Sequence, residues 1–103
     1  MIAFTDTGDC CEDTIDEVEV NDRAIELAME LTAEGADDET IDEFLDNCEE
    51  PYEVVELLAA VARGDIDQEE NGTFYYCGEE VTVGIGHTRE EAALACVTAR
   101  MSC

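Results

Sequence analysis

The sequence predicts an α+β domain: three short N-terminal helices packed with a small antiparallel sheet and a C-terminal helix. Three observations carry that expectation. Apolar residues recur at helical spacing between residues 22 and 62, with capping residues at the joins. Two runs rich in β-branched and aromatic residues, 73–77 and 81–85, flank a short polar turn. A threonine-capped apolar segment follows from residue 88. The chain has 103 residues, of which 46% are hydrophobic, so residues 1–103 are read as one domain with a modest core.

Residues 1–20 admit two readings. Ile2 and Phe4 alternate, as do Val18 and Val20, which permits short strands, one of which could join the sheet. Residues 14–20 equally fit a helical lead-in. The stretch Gly8, Asp9, Cys10, Cys11 reads as loop.

Asn21 is a suitable helix cap, with Asp22 in the first turn where the helix dipole favours an acid. Ile25, Ala28, Met29 and Thr32 form one stripe, widened by Leu27 and Leu31, and Gly35 ends the helix. A second helix starts at Asp37 or Asp38. Its Ile41, Phe44, Leu45 and Cys48 fall at i, i+3, i+4, i+7, and its polar face carries Asp42, Glu43 and Asp46. Pro51 suits the first position of a third helix, where a missing N–H costs nothing. Tyr52, Val55, Leu58 and Val61 lie on one side of it, Val54 and Leu57 broaden that side, and Gly64 stops it.

An acidic loop spans 65–72. The strands over 73–77 and 81–85 are joined by Gly78, Glu79 and Glu80, which predicts a hairpin. Thr88 then caps the last helix, and Glu91 three residues on completes a capping box. Small residues such as Ala92 and Ala95 allow that helix to pack closely on the sheet.

The charge is unevenly placed. The chain carries 29 acids against four arginines and no lysine, a formal charge of −25. Residues 1–70 hold 25 acids and two arginines, a net −23, and residues 71–103 a net −2. So strong a negative charge opposes binding to anionic lipid or to bare nucleic acid. No stretch approaches the roughly 20 apolar residues of a membrane span. The start, Met1-Ile2-Ala3-Phe4-Thr5-Asp6, lacks the basic and apolar regions of a signal peptide, so a cytoplasmic setting is expected.

Between residues 37 and 56, ten of twenty residues are acids and none is basic: Asp37, Asp38, Glu39, Asp42, Glu43, Asp46, Glu49, Glu50, Glu53 and Glu56. Residues three and four apart on a helix are neighbours, at a spacing comparable to that of adjacent phosphates on a nucleic-acid strand. Short helices can therefore present carboxylates as a row imitating a phosphate backbone. A basic protein that neutralises phosphates would bind such a row. These ten residues are the candidate partner-binding set. Their simpler reading is a solvated face that keeps the chain soluble.

No motif for catalysis, metal or cofactor stands out. Asp67, Glu69, Asn71 and Gly72 match the start of a calcium loop, but Gly78 stands where a bidentate Glu is needed. His87, the sole histidine, sits at a strand-to-helix turn without a nucleophile pattern, and Gly84-x-Gly86 is too short for a nucleotide fingerprint. Six cysteines, Cys10, Cys11, Cys48, Cys77, Cys96 and Cys103, lack paired zinc spacings. Cys48, Cys77 and Cys96 fall in apolar patterns and are expected as small core thiols.

The element from Glu80 to Cys96, a strand followed by a Thr-capped helix, resembles elements of small phage-encoded α/β sandwich proteins. A short, strongly acidic chain without a catalytic motif resembles phage inhibitors that mimic nucleic acid, the anti-CRISPR and anti-restriction proteins among them. That resemblance implies a non-enzymatic inhibitor occupying the basic channel of a host defence complex, in the host cytoplasm. It needs no cofactor, and six cysteines depart from it. The alternatives are a halophilic or generic acidic interaction module, antitoxin-like or an assembly protein, and a small calcium- or metal-binding protein. The sequence leaves a homodimer open.

Overall fold

The computed structural model describes residues 1–6, 15–78 and 81–102. In chain order the elements are β1 (Ile2–Asp6), β2 (Ile15–Glu19), α1 (Asp22–Glu34), α2 (Asp38–Asp46), α3 (Tyr52–Ala62), β3 (Phe74–Cys77), β4 (Thr82–Gly86) and α4 (Arg89–Ser102). The four strands form one antiparallel sheet in the order β2-β1-β4-β3. The α+β class is as expected, but the three helices do not open the chain, because a strand pair precedes them. Of the two readings of residues 1–20 the strand reading holds, with Ile15–Glu19 a strand and not a helical lead-in, although alternation marks the inner strand β1 only weakly. Its Ala3, Phe4, Thr5 and Asp6 are all buried, so the alternation of a half-buried strand is erased.

The sheet is covered on both faces. On one, Ala3, Phe74, Val83 and Ile85 pack with Ile25 and Ala28 of α1 and with Val54, Leu57, Leu58 and Val61 of α3. On the other, Phe4 packs with Ala92 and Cys96 of α4. β4 is buried along its whole length, and its two faces differ in size. Val83 and Ile85 fill the α1–α3 side, whereas Gly84 and Gly86 meet α4. A Cβ on Gly86 would stand 2.7 Å from the Ala92 nitrogen, and one on Gly84 would overlap the Cys96 backbone. The Gly-x-Gly pair therefore serves helix-to-sheet contact.

Local signals set most helix ends. Asn21 caps α1 by accepting from the Arg23 N–H, and Gly35 ends it at φ 64°, its N–H reaching the Leu31 and Thr32 carbonyls. Asp37 caps α2 and accepts the Thr40 N–H at 2.9 Å. Thr88 Oγ1 accepts the Glu91 N–H at 3.2 Å, and the Glu91 carboxylate accepts the His87 N–H at 3.1 Å. Pro51 proves to be the cap of α3 and not its first helical residue.

Two expected stripes are corrected. Tyr52 is 71% exposed and Val55 half-buried, so α3 buries Val54, Leu57, Leu58, Ala60, Val61 and Ala62 instead. The apolar residues of α3 run nearly all round it, and the face chosen is the one that meets both α1 and the sheet. Met29 is also exposed, at the margin of the α1 stripe.

The cysteines divide. Cys96 is buried and Cys48 half-buried beyond the end of α2, and both are free thiols. Cys77 is disulfide-bonded, which corrects its expected role as a core thiol. It ends the edge strand β3, so it sits at the rim of the core. Cys10, Cys11 and Cys103, the Gly8–Cys11 loop and the Glu79–Glu80 turn lie outside the described residues.

Candidate functional site

The acidic set is displayed from the layer formed by α1, α2 and α3. α3 lies between the sheet and α2, and α2 is the outermost of the three, touching the rest mainly through α3. It buries Ile41, with Phe44 and Leu45 half-buried against the core. The remaining positions are free to be polar, and five of the nine residues of α2 are acids: Asp38, Glu39, Asp42, Glu43 and Asp46. Helical spacing brings Glu39, Glu43 and Asp46 into one exposed row and Asp38 and Asp42 into the next.

The ten candidate carboxylates are not equivalent. Asp42 pairs with Arg63 at 3.0 Å. Asp37 is committed to its cap, and hydrogen bonds from the Thr40 hydroxyl and N–H hold its carboxyl below the usual range. Glu50 accepts the Asn21 N–H at 3.0 Å, joining the approach to α3 with the start of α1. Glu53 and Glu56 are half-buried on α3. Asp38, Glu39, Glu43, Asp46 and Glu49 are exposed, and none has a described basic side chain within ion-pair distance.

A second row lies outside the predicted block. Asp22, Glu26, Glu30 and Glu34 occupy successive i+4 positions along α1 and are all exposed. That spacing is visible in the sequence, but the row falls before the densest acidic stretch. It is partly neutralised. Arg23 lies 3.2 Å from Glu26 and 3.7 Å from Glu30, and the Met1 amino group lies 2.5 Å from Asp22. This amine also lowers the Asp22 pKa, first by its hydrogen bond and then by its charge.

The opposite layer is different in kind. α4 holds Glu90 and Glu91 in its first turn and Arg100 in its last, with Arg89 at its start. Arg89 pairs with Glu17 of β2 at 3.2 Å and lies 6.0 Å from the Phe4 ring centroid. Arg100 reaches the buried Asp6 at 3.0 Å. The acidic helices α1–α3 and the helix α4 thus lie on opposite faces of one sheet, although Asp6, Glu17, Glu69 and Glu70 of the acidic block meet the α4 side.

Of the residues that match a calcium loop, Asn71 has a structural duty. Asn71 accepts the Thr73 N–H at 3.1 Å, an Asx turn leading into β3. Among the described residues no three His, Cys, Asp or Glu side chains are grouped to hold a metal ion. No described helix is long and apolar enough to cross a membrane. No protein-family model, curated protein or solved structure matches this chain.

Proposed function

We propose that this protein is a non-enzymatic inhibitor that binds a basic nucleic-acid-binding protein, offering the acidic face of α2 in place of a phosphate backbone. The observation that carries this reading is the density of carboxylates on that helix. Nine residues span about 14 Å, so five acids give one charge per about 3 Å of axis. One nucleic-acid strand carries one per about 3.4 Å and a duplex one per about 1.7 Å. An exposed face at strand-like density, with Asp42 alone among its described acids paired to an arginine, offers a lysine- or arginine-lined channel what it normally neutralises.

The fitting target is a protein that tracks nucleic acid through its backbone, such as a CRISPR effector or restriction enzyme, met in the host cytoplasm. Affinity would come from many modest charge contacts and fast, steered encounter. The protein supplies no catalytic group, metal or cofactor in this reading.

A halophilic or generic acidic interaction module is the second reading. It draws on the absence of lysine and on the α1 acidic row outside the main block.

Capture from host lysate, with the partner identified by mass spectrometry and carried into a gel-shift assay, tests the proposal. Added protein should release the partner's DNA or RNA, and salt should weaken the complex. A partner that keeps its nucleic acid at saturating inhibitor contradicts competition.

A further inference from the structure

We infer that the outer edge of β3 is a docking site for an extended basic peptide segment, which adds a strand to the sheet and sets a lysine or arginine side chain in the groove between β3 and α4. The register fixes which backbone groups of β3 face outward. Gly78 stands opposite Val81 and its N–H donates to the Val81 carbonyl at 2.8 Å, so the residues bonded to β4 are Phe74 and Tyr76. The N–H and carbonyl of Tyr75 therefore point away from the sheet. Thr73, two residues earlier, has the same outward orientation, and its turn takes up both groups. The Thr73 N–H donates to the Asn71 side chain, and its carbonyl accepts the Glu69 N–H. Tyr75 has no such local partner among the described residues. The two edges of the sheet also differ. β2, at the other edge, carries three acids in five residues, a usual guard against strand addition. β3 reads Phe-Tyr-Tyr-Cys, with no charge and no proline.

Alternation sets where an added strand puts its side chains. Phe74 and Tyr76 face the α1–α3 layer, so Tyr75 faces the α4 side. There it lines a groove with Leu94, Ala95 and Thr98 of α4 and with Glu69 and Glu70 of the preceding turn. An antiparallel partner residue opposite Tyr75 exchanges both hydrogen bonds with it and points its side chain to the same face, with the Cα atoms about 5.5 Å apart. That side chain enters the groove. Charge selects its chemistry. Glu69 and Glu70 are exposed, and neither has a described basic side chain within ion-pair distance. A lysine or arginine lays its methylene stem along Tyr75 and Leu94 and brings its cationic head to these carboxylates. Backbone bonds supply the attachment and the acidic rim the selection, as in other cases of strand addition. The surface is separate from α2 and does not depend on the mimic proposal.

The probe is a short fluorescent threonine-rich peptide with one central arginine, titrated with the full chain at physiological salt, where distant charges are screened. Anisotropy should report binding, and amide hydrogen exchange should show the Tyr75 N–H, fast in the free protein, become protected when the peptide is added. N-methylation of the central arginine keeps its charge but removes the N–H that donates to the Tyr75 carbonyl, and should weaken binding several-fold or more. Glu69→Gln with Glu70→Gln should also weaken it several-fold. Tyr75→Pro, at an edge position whose N–H faces outward and where proline is tolerated, should lose binding with unchanged circular dichroism. Neutralising Glu39, Glu43 and Asp46 on α2 should leave the affinity close to wild type. A peptide that fails to bind at millimolar concentration, or that binds as well when N-methylated, overturns the inference. So does an equal loss in the α2 and the Glu69–Glu70 variants, the outcome expected of attraction to bulk charge. None of these results involves displacement of nucleic acid from a captured partner, so this inference and the mimic proposal fail independently.

Discussion

Gly84 lies directly beneath the backbone of Cys96, so close that a Cβ at Gly84 would overlap the Cys96 nitrogen, the Ala92 carbonyl and the Ala95 carbonyl carbon. The neighbouring atoms are helix backbone, which cannot swing aside as the end of a side chain can. Gly84→Ala should force α4 off the sheet and cost about 1–3 kcal/mol or more by overpacking. A thermal or urea melt measures it. A Gly84→Ala variant as stable as the wild type would contradict the close seating of α4 on β4.

Asp6 is 4% exposed and its carboxylate lies 3.0 Å from Arg100. This bond ties the end of β1 to the last turn of α4. Arg100→Ala removes a charged partner from a buried acid, with an expected loss of about 1–3 kcal/mol. Asp6→Asn should cost less than Arg100→Ala, because it removes the buried charge along with the ion pair. Urea unfolding of both variants gives the ordering, and the reverse order would contradict the account.

Much of the helical layer can be read from single residues. Asn21, Gly35, Asp37, Thr88 and Glu91 each satisfy specific backbone groups at helix ends, and those duties leave a local mark in the sequence. The strands of residues 1–20 leave a fainter one. β1 is buried on both faces, and its hydrogen-bonding partners on β4 lie some eighty residues away. The buried face of α3 is set by which neighbours reach it, which explains why Tyr52 ends up in solvent. At the candidate site, the density of α2 is plain in the sequence. That Asp42 is neutralised by Arg63, 21 residues on, and that Asp37 is spent on its cap are tertiary and local bonding facts that composition does not reveal.

The thiols should react in distinct ways. Burial raises the pKa of Cys96 first of all, and desolvation does the same for Cys48. A raised thiol pKa favours the neutral form in the folded state. The stabilising contribution is therefore present below the unfolded value, about 8.5, and is lost as pH rises towards the folded value. Stability should decline above that pH. Cys77 should resist alkylation until reductant is added, while Cys48 and Cys96 become alkylated on unfolding without it. Peptide mass mapping reads all three. A Cys77 alkylated without reductant would contradict the disulfide.

Salt separates targeted charge from salt-dependent folding. The acids crowd the α1–α3 layer and repel one another, so added salt should raise the melting temperature. The caps and the double-sided core should nevertheless hold the fold at about 0.1 M salt, where the Debye length is about 10 Å. Circular dichroism melts at that and at molar salt make the comparison. A chain folded only at molar salt would favour the halophilic reading.

The central claim is that position, and not total charge, makes the acidic face of α2 a phosphate surrogate. Two charge-matched variants test it most directly. One neutralises Glu39, Glu43 and Asp46, the exposed row on α2. The other neutralises Glu17, Glu19 and Glu90, exposed acids on β2 and α4. Each is titrated against the captured partner bound to labelled nucleic acid, and displacement is followed by fluorescence anisotropy. The α2 variant should need a much higher concentration to displace the nucleic acid, while the β2–α4 variant stays close to wild type. Equal loss in both, or displacement by the α2 variant at the wild-type concentration, would contradict the claim.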